Sequence, residues 1–252
     1  VAATGTGAVS FGGSATGTES VCMSVGTCSG QNAFLASSSS TTANVSGTRA
    51  TGFARDGGIV TGTSAFGHGE IPGYGSGDVT AANAVGFSGA SATGTTSFAS
   101  GYYAQATRYG QVARASGGFT SNLFGEAQHV LFTLRNKTTD GTTAVTLFLD
   151  GSSSRLTIAS GKILHATIQL VGSKSDGSAV AVYQRQVAIK NVGGTTSLVG
   201  TVNTIGTDTA AGTTIAITAD DTNDALQIAI TGVASETWRW VAVVSGVELA
   251  YG

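Results

Sequence analysis

Residues 92–117 read ATGTTSFASGYYAQATRYGQVARASG, and the placing of their glycines decides what kind of fold the chain makes. Gly94 and Gly101 stand seven residues apart, Gly110 and Gly117 again seven, and Gly94 and Gly110 sixteen. Two short half-units therefore make one coil of about fourteen to sixteen residues, which is the period of a solenoid. Such a coil has room for two strands of about four or five residues whose alternate side chains point inward, with glycine supplying the backbone freedom at each corner. The same Ala-x-Gly ending recurs upstream at Ala3-Thr4-Gly5, Ala15-Thr16-Gly17, Ala50-Thr51-Gly52, Ala65-Phe66-Gly67 and Ala84-Val85-Gly86. An interior built from alanine is thin, and a thin core offsets little of the ordering cost, so several such rolls are expected to associate.

Moving outward from that stretch, the composition changes. Residues 1–120 hold 24 of the 38 glycines and no lysine, with four arginines and four acids, and the other 18 charged residues follow. Loss of glycine and gain of charge at one point predict a boundary between Phe119 and Gln128, with a repeat β-roll over 1–120 and a second domain over 128–252. Within the roll, residues 30–47, with Ser37 to Ser40, and residues 68–82 carry no repeat register, which predicts two interruptions. Beyond the boundary, alternating apolar and polar residues predict strands at 129–134, 144–149, 162–170, 179–187, 213–218, 226–230 and 237–244. Between them Asp140-Gly141, Asp150-Gly151, Asp176-Gly177 and Gly193-Gly194 supply turn chemistry for an antiparallel β-sandwich. The fold class is all-β throughout: only Pro72 is proline, and Ala, Ser, Thr and Val dominate over the strong helix formers.

Two resemblances follow from particular residues. The stretch from Ser14-Ala15-Thr16-Gly17 through Cys22-Met23-Ser24-Val25-Gly26, with Ser97-Phe98-Ala99-Ser100-Gly101, resembles the left-handed β-roll repeats in the heads of trimeric autotransporter adhesins, repeats also found in phage tail fibres. Thr218-Ala219-Asp220, then Ala225-Leu226-Gln227-Ile228-Ala229-Ile230-Thr231-Gly232, then Trp238-Arg239-Trp240-Val241-Ala242 and Glu248, resemble the carboxy-terminal β-sandwich domains of phage fibre and other virion proteins. Trp238 stands where that family pattern has a smaller β-branched residue. Together the resemblances imply a homotrimer.

Composition also narrows the partners. Charged residues make up 10% of the chain, against about 25% in an ordinary soluble domain. Gly, Ser and Thr interrupt every apolar stretch before it reaches the roughly 18 residues a membrane span needs, so no membrane insertion is expected. A net charge of -2 gives no basic footprint for a nucleic acid. The chain opens on Val1 with no basic-then-apolar leader, so no signal peptide is expected. Cys22 and Cys28 are too few for a disulfide framework and lack zinc spacing, and read as small buried thiols.

The candidate chemistry is sparse. Tyr102, Tyr103, Arg108 and Tyr109 form the densest aromatic and basic cluster, suited to stacking on sugar rings and donating to hydroxyls or carboxylates; the alternative is that the tyrosines cover the seam where the roll ends. Polysaccharide hydrolysis needs two carboxylates about 5 to 10 Å apart, and the roll offers only Glu19, Asp56, Glu70 and Asp78, with Glu70 and Asp78 the one pair that adjacent coils could bring together. His68-Gly69-Glu70 lacks a third metal ligand by spacing, and Asp220, Asp221 and Asp224 lack the turn of a calcium loop and read as a turn between strands. His165 falls on the polar face of its strand, and Trp238 and Trp240 on the buried face of theirs. No catalytic residue, metal or cofactor is assigned, and the chain is expected not to be an enzyme.

The function that residues and resemblances imply is that of a phage tail-fibre structural protein, extracellular on the virion, joined to other tail proteins and recognising a host-surface polysaccharide as a homotrimer. The alternatives are a passive virion or decoration protein, a trimeric adhesin on a bacterial surface, and a polysaccharide-degrading tailspike.

Overall fold

The computed structural model describes residues 2–23, 26–36, 43–53, 59–68, 78–121 and 123–251. Among them every regular element is a β-strand and none is a helix. The chain divides into two compact units, residues 1–128 and 129–252.

The first unit is a β-solenoid. One face stacks the strands Val9–Ser10, Val21–Met23, Phe34–Ala36, Thr51–Phe53, Phe66–His68, Val85–Phe87, Phe98–Ser100 and Val112–Arg114 in parallel. The other face stacks Ala2–Ala3, Ser14–Ala15, Gly26–Cys28, Ala43–Val45 and Ile59–Val60, continues through the single residue Val79, and ends with Ser91–Ala92 and Gln105–Ala106. Strands of two or three residues are shorter than the spacing predicted, because the corners take more of each coil. The steps between coils are also unequal, the shortest running from Ala2 to Ser14 and the longest from Val60 to Val79.

The two predicted interruptions do not break the stack. Phe34 pairs with Thr51 and Gly26 with Ala43 across the first, and Phe66 pairs with Val85 across the second. Ser37 to Ser40 and residues 69–77 lie outside the described residues, so the departures from the repeat fall between strands whose register is continuous.

Glycine does a different job here from the one its spacing suggested. The corners at residues 17–20, 30–33, 47–50, 62–65, 81–84 and 94–97 are four-residue turns closed by a backbone bond, as from the Ala33 N–H to the Gly30 carbonyl (3.2 Å) and from Ala50 to Gly47 (3.1 Å). The left-handed position in these turns is held by Glu19, Asn32, Arg49, Ser64, Asn83 and Thr96, all with φ between 53° and 57°. That conformation costs an L-residue about 1–2 kcal/mol, and each of these residues regains a bond to the coil before it: Asn32 N–H to Thr18 O, Arg49 to Gln31 and Ser64 to Thr48, all at 2.8–2.9 Å. Glycine opens five of these six turns instead, and Ala81 opens the one that carries Asn83. A Cβ on Gly17, Gly30 or Gly47 would run into the carbonyl oxygen of the matching glycine one coil on. Three further glycines sit mid-strand, where a Cβ on Gly52, Gly67 or Gly86 would come within 2.6–2.7 Å of Val45, Val60 or Val79. The interior is thus filled by glycine facing valine and by buried Ala15, Cys22, Cys28, Leu35, Ala99 and Ala113.

The second unit contains two antiparallel sheets. The larger runs in the order Ala127–Thr138, Trp238–Ala250, Lys162–Lys174, Val180–Val192 and Thr195–Leu198, with Asn203–Thr204 also on Val180–Val192. The smaller pairs Ala225–Thr231 with Thr214–Asp220 along one edge and with the short strands Val145–Thr146 and Leu156–Thr157 along the other. Strict alternation buries one face of the long strands: Leu164, Ile168 and Leu170 point inward from one, Trp238, Trp240, Ala242 and Val244 from another. The two indoles stack 5.5 Å apart, Trp238 donating to Glu236 (2.9 Å) and Trp240 to Thr138 (3.1 Å). Polar bonds join the sheets, from the Tyr183 hydroxyl to the Thr213 carbonyl (2.7 Å) and from Asn191 Nδ2 to the Ile158 carbonyl (2.9 Å). The turn glycines Gly151, Gly177, Gly193 and Gly194 all adopt positive φ.

Candidate functional site

The four residues singled out by sequence sit on successive corners of the last coils. Tyr102 and Tyr103 share one corner, rings 4.2 Å apart and hydroxyls 3.5 Å apart. Tyr102 is 38% exposed whereas Tyr103 is only 4% exposed, its ring against the edge of Phe124 (5.4 Å) and its carbonyl accepting from Gly125 (2.8 Å). The strand Gln105–Ala106 intervenes, and Arg108 and Tyr109 open the next corner. Arg108 is 8% exposed and Tyr109 half-buried. Tyr102 and Tyr109 therefore offer most of the surface in this group, and Tyr103 and Arg108 lie beneath it.

A larger apolar surface arises from residues that the sequence reading passed over. On the strand face that starts with Val9–Ser10, the middle residue of each three-residue strand points inward and the two flanking residues point out. Parallel stacking then lines up the outward residues of neighbouring coils. Phe34, Phe53, Phe66, Phe87 and Phe98 form a zigzag with ring centroids 5.4–5.9 Å apart, and His68 joins it 6.0 Å from Phe53 and 6.2 Å from Phe87. Phe53 is 40% exposed, and on the same face Phe11 reaches 70%. Tilted rings at this spacing attract one another and still present apolar surface outward. Such a strip suits the C–H faces of sugar rings or the matching face of another copy of the chain. The available signal was the recurrence of one Phe per coil.

Asp56 and Glu70 lie outside the described residues, so the Glu70 and Asp78 pairing, like the His68-Gly69-Glu70 metal reading, falls outside them as well. Burial raises the pKa of Asp78, partly countered by the backbone of Ile59. Glu19 accepts from Asn32 Nδ2 at 2.5 Å. In the second unit Asp220 pairs with Arg155 (3.0 Å), while Asp221 and Asp224 accept from the backbone N–H and hydroxyl of Thr196 (2.5 and 2.8 Å). Among the described residues no three His, Cys, Asp or Glu side chains gather as a metal site would require, and no helix is long and apolar enough to cross a membrane. Cys22 and Cys28 are buried and form no disulfide, Cys22 Sγ 3.5 Å from the Gly26 carbonyl and Cys28 Sγ 3.2 Å from that of Val21.

No protein-family model matches the sequence, and neither does any curated protein. Solved structures do. Tailspike gp49 of Acinetobacter baumannii bacteriophage Fri1, a capsular polysaccharide depolymerase, is similar over 88% of this chain at 10% identity, with a TM-score of 0.30. The tailspike of Acinetobacter phage vB_ApiP_P1 is similar over 97% of the chain at 13% identity (TM-score 0.29), and that of Acinetobacter baumannii phage AM24 over 94% at 12% (TM-score 0.25). The chain covers 47%, 51% and 53% of those three, about half the length of each. One sequence-based expectation is corrected by this finding. The chain was expected not to be an enzyme, yet gp49, among its structural neighbours, is a depolymerase, and the exclusion of catalysis is withdrawn. The exclusion had rested on the scarcity of acids in the roll, a count that says nothing about how Asp56 and Glu70 are placed.

Proposed function

We propose that this chain is the recognition part of a phage tailspike or tail fibre, carried on the outside of the virion, and that it binds a host-surface polysaccharide as a homotrimer. The observation that carries the reading is the phenylalanine ladder on the solenoid. A half-exposed aromatic strip several coils long suits a long, stiff, repeating ligand better than a compact one, because each coil offers the next sugar a similar face. Each contact is weak, and three copies would multiply them. Residues 1–120 then act as the roll, and residues 128–252, with their two antiparallel sheets, as the fibre-type β-sandwich. Self-association is supported by the outer face of the larger sheet, where Val182, Val171 and Val241 lie side by side across three strands and Val247 and Leu249 are also exposed. Apolar side chains grouped on one uncovered face are the kind of surface that association buries.

The test is binding of the purified chain to a panel of immobilised bacterial capsular polysaccharides. Saturable binding to some members, weakened when Phe53 and Phe87 are replaced by serine, is the expected result. Binding to none of them, by a chain shown to be trimeric, would overturn the reading.

A further inference from the structure

The second unit holds an open cleft of about 400 Å³ on its larger sheet, lined by Arg135, Lys137, Asp150, Arg239 and Val241. Its size is that of small-ligand pockets generally. Its charge is one-sided: three cations face one acid. The oxygens of that acid are already engaged: the Asp150 carboxylate accepts the backbone N–H groups of Ser152, Ser153 and Ser154 (2.8–2.9 Å) and the hydroxyls of Ser152 and Ser153 (3.0–3.1 Å). These donors hold its pKa far below the usual carboxylate range, Ser153 and Ser152 contributing most.

Arg135 is fixed in place without being neutralised. Its guanidinium donates to the carbonyls of Leu149 (3.1 Å) and Asp150 (2.6 Å) and lies against Gly151, where a Cβ would come within 3.0 Å of Nε. Gly151 itself sits at φ 84°, so the turn shape and the absence of a side chain both serve this seat. A planar cation held by carbonyls keeps its charge and its remaining N–H groups for a ligand. Lys137 and Arg239, exposed on the same cleft, take part in none of the ion pairs found among the described residues. Val241, also exposed, gives the cleft an apolar patch beside the cations.

We infer that this cleft is an anion subsite that takes the carboxylate of an acidic sugar residue, gripped by Arg135, Lys137 and Arg239, with the C–H face of the sugar ring against Val241. The inference rests on the polysaccharide reading for the kind of chain that carries the acid, and on the cleft alone for the site.

The experiment is calorimetric titration of the full chain with oligogalacturonate, which carries one carboxylate per sugar, against a length-matched neutral maltooligosaccharide and a polyglutamate peptide. The expected result is tighter binding of oligogalacturonate than of either, weakening with added salt. Arg239→Gln and Lys137→Gln, both at exposed positions, should each reduce it about tenfold, the loss expected for one hydrogen bond to a charged group. Phe53→Ser, on the other unit, should leave the acid preference intact. No preference for oligogalacturonate, or a preference that survives the double substitution, would overturn the subsite. So would equal binding of polyglutamate lost in the same variants, which would mark a general cation patch. If capsular polysaccharides still bind while the acid preference is absent, the subsite alone falls; if no saccharide binds at all, both readings fall.

Discussion

Gly30 and Thr96 occupy the first and third positions of the same kind of turn and make opposite demands. Gly30 opens its corner against the backbone of the next coil, so Gly30→Ala places a methyl group into the Gly47 carbonyl, with no flexible side chain to yield. A loss of about 2–4 kcal/mol is expected, read as a lower urea midpoint. Thr96 sits at φ 57°, a conformation that a β-branched residue tolerates poorly, and Thr96→Gly should stabilise by up to about 1 kcal/mol in the same assay. Cys28 makes a third demand. Burial first, and the neighbouring Cys22 second, push its thiol up to about 12 from an ordinary 9.0. The folded chain therefore holds this proton where the unfolded chain has released it, so the stabilisation is full below pH 9 and is lost as pH rises towards 12. Thermal melting across that window should fall less steeply for Cys28→Ala than for the unaltered chain; identical slopes would refute the assignment.

The phenylalanine ladder belongs to the strands as a set. Its rings are half-exposed and each contact is worth about 0.5–1.5 kcal/mol, so replacing Phe53 and Phe87 by serine should leave the roll folded by circular dichroism. Polysaccharide binding should weaken by at least about tenfold. The solenoid itself, its two strands per coil and the long strands of the second unit were legible in the sequence, from recurrent corners such as those near Gly94, Gly101 and Gly110 and from alternation such as that at 162–170, but the length of each coil was not: Gly94 stacks on Arg108 rather than on Gly110. The ladder was hidden by the way it is threaded. Phe34, Phe66 and Phe98 begin their strands while Phe53 and Phe87 end theirs, and the coils differ in length, so no fixed spacing links the five rings. Tyr102, Tyr103, Arg108 and Tyr109 are the opposite case. They are close in sequence, but a strand separates the two corners that carry them, and corner geometry rather than proximity sets which rings reach water. The basic cleft escaped notice because Arg135 and Arg239 meet only through the pairing of distant strands.

For the molecule as a whole, the proposed homotrimer has a direct measure: light scattering should return about three times 24.9 kDa, and a stable monomer would remove the basis for multiplied weak contacts. The solenoid's register has a consequence of another kind. Ser91 lies beside Gln105, and Phe98 beside Val112, so excising residues 91–104 would seat Gln105 where Ser91 was and Val112 where Phe98 was. Every surviving corner would still meet a corner, and every surviving strand a strand. The roll can therefore be cut shorter or spliced longer by whole coils, in the way a chain-link rule is set, while a change of a few residues within a strand would throw all its inward and outward faces out of step.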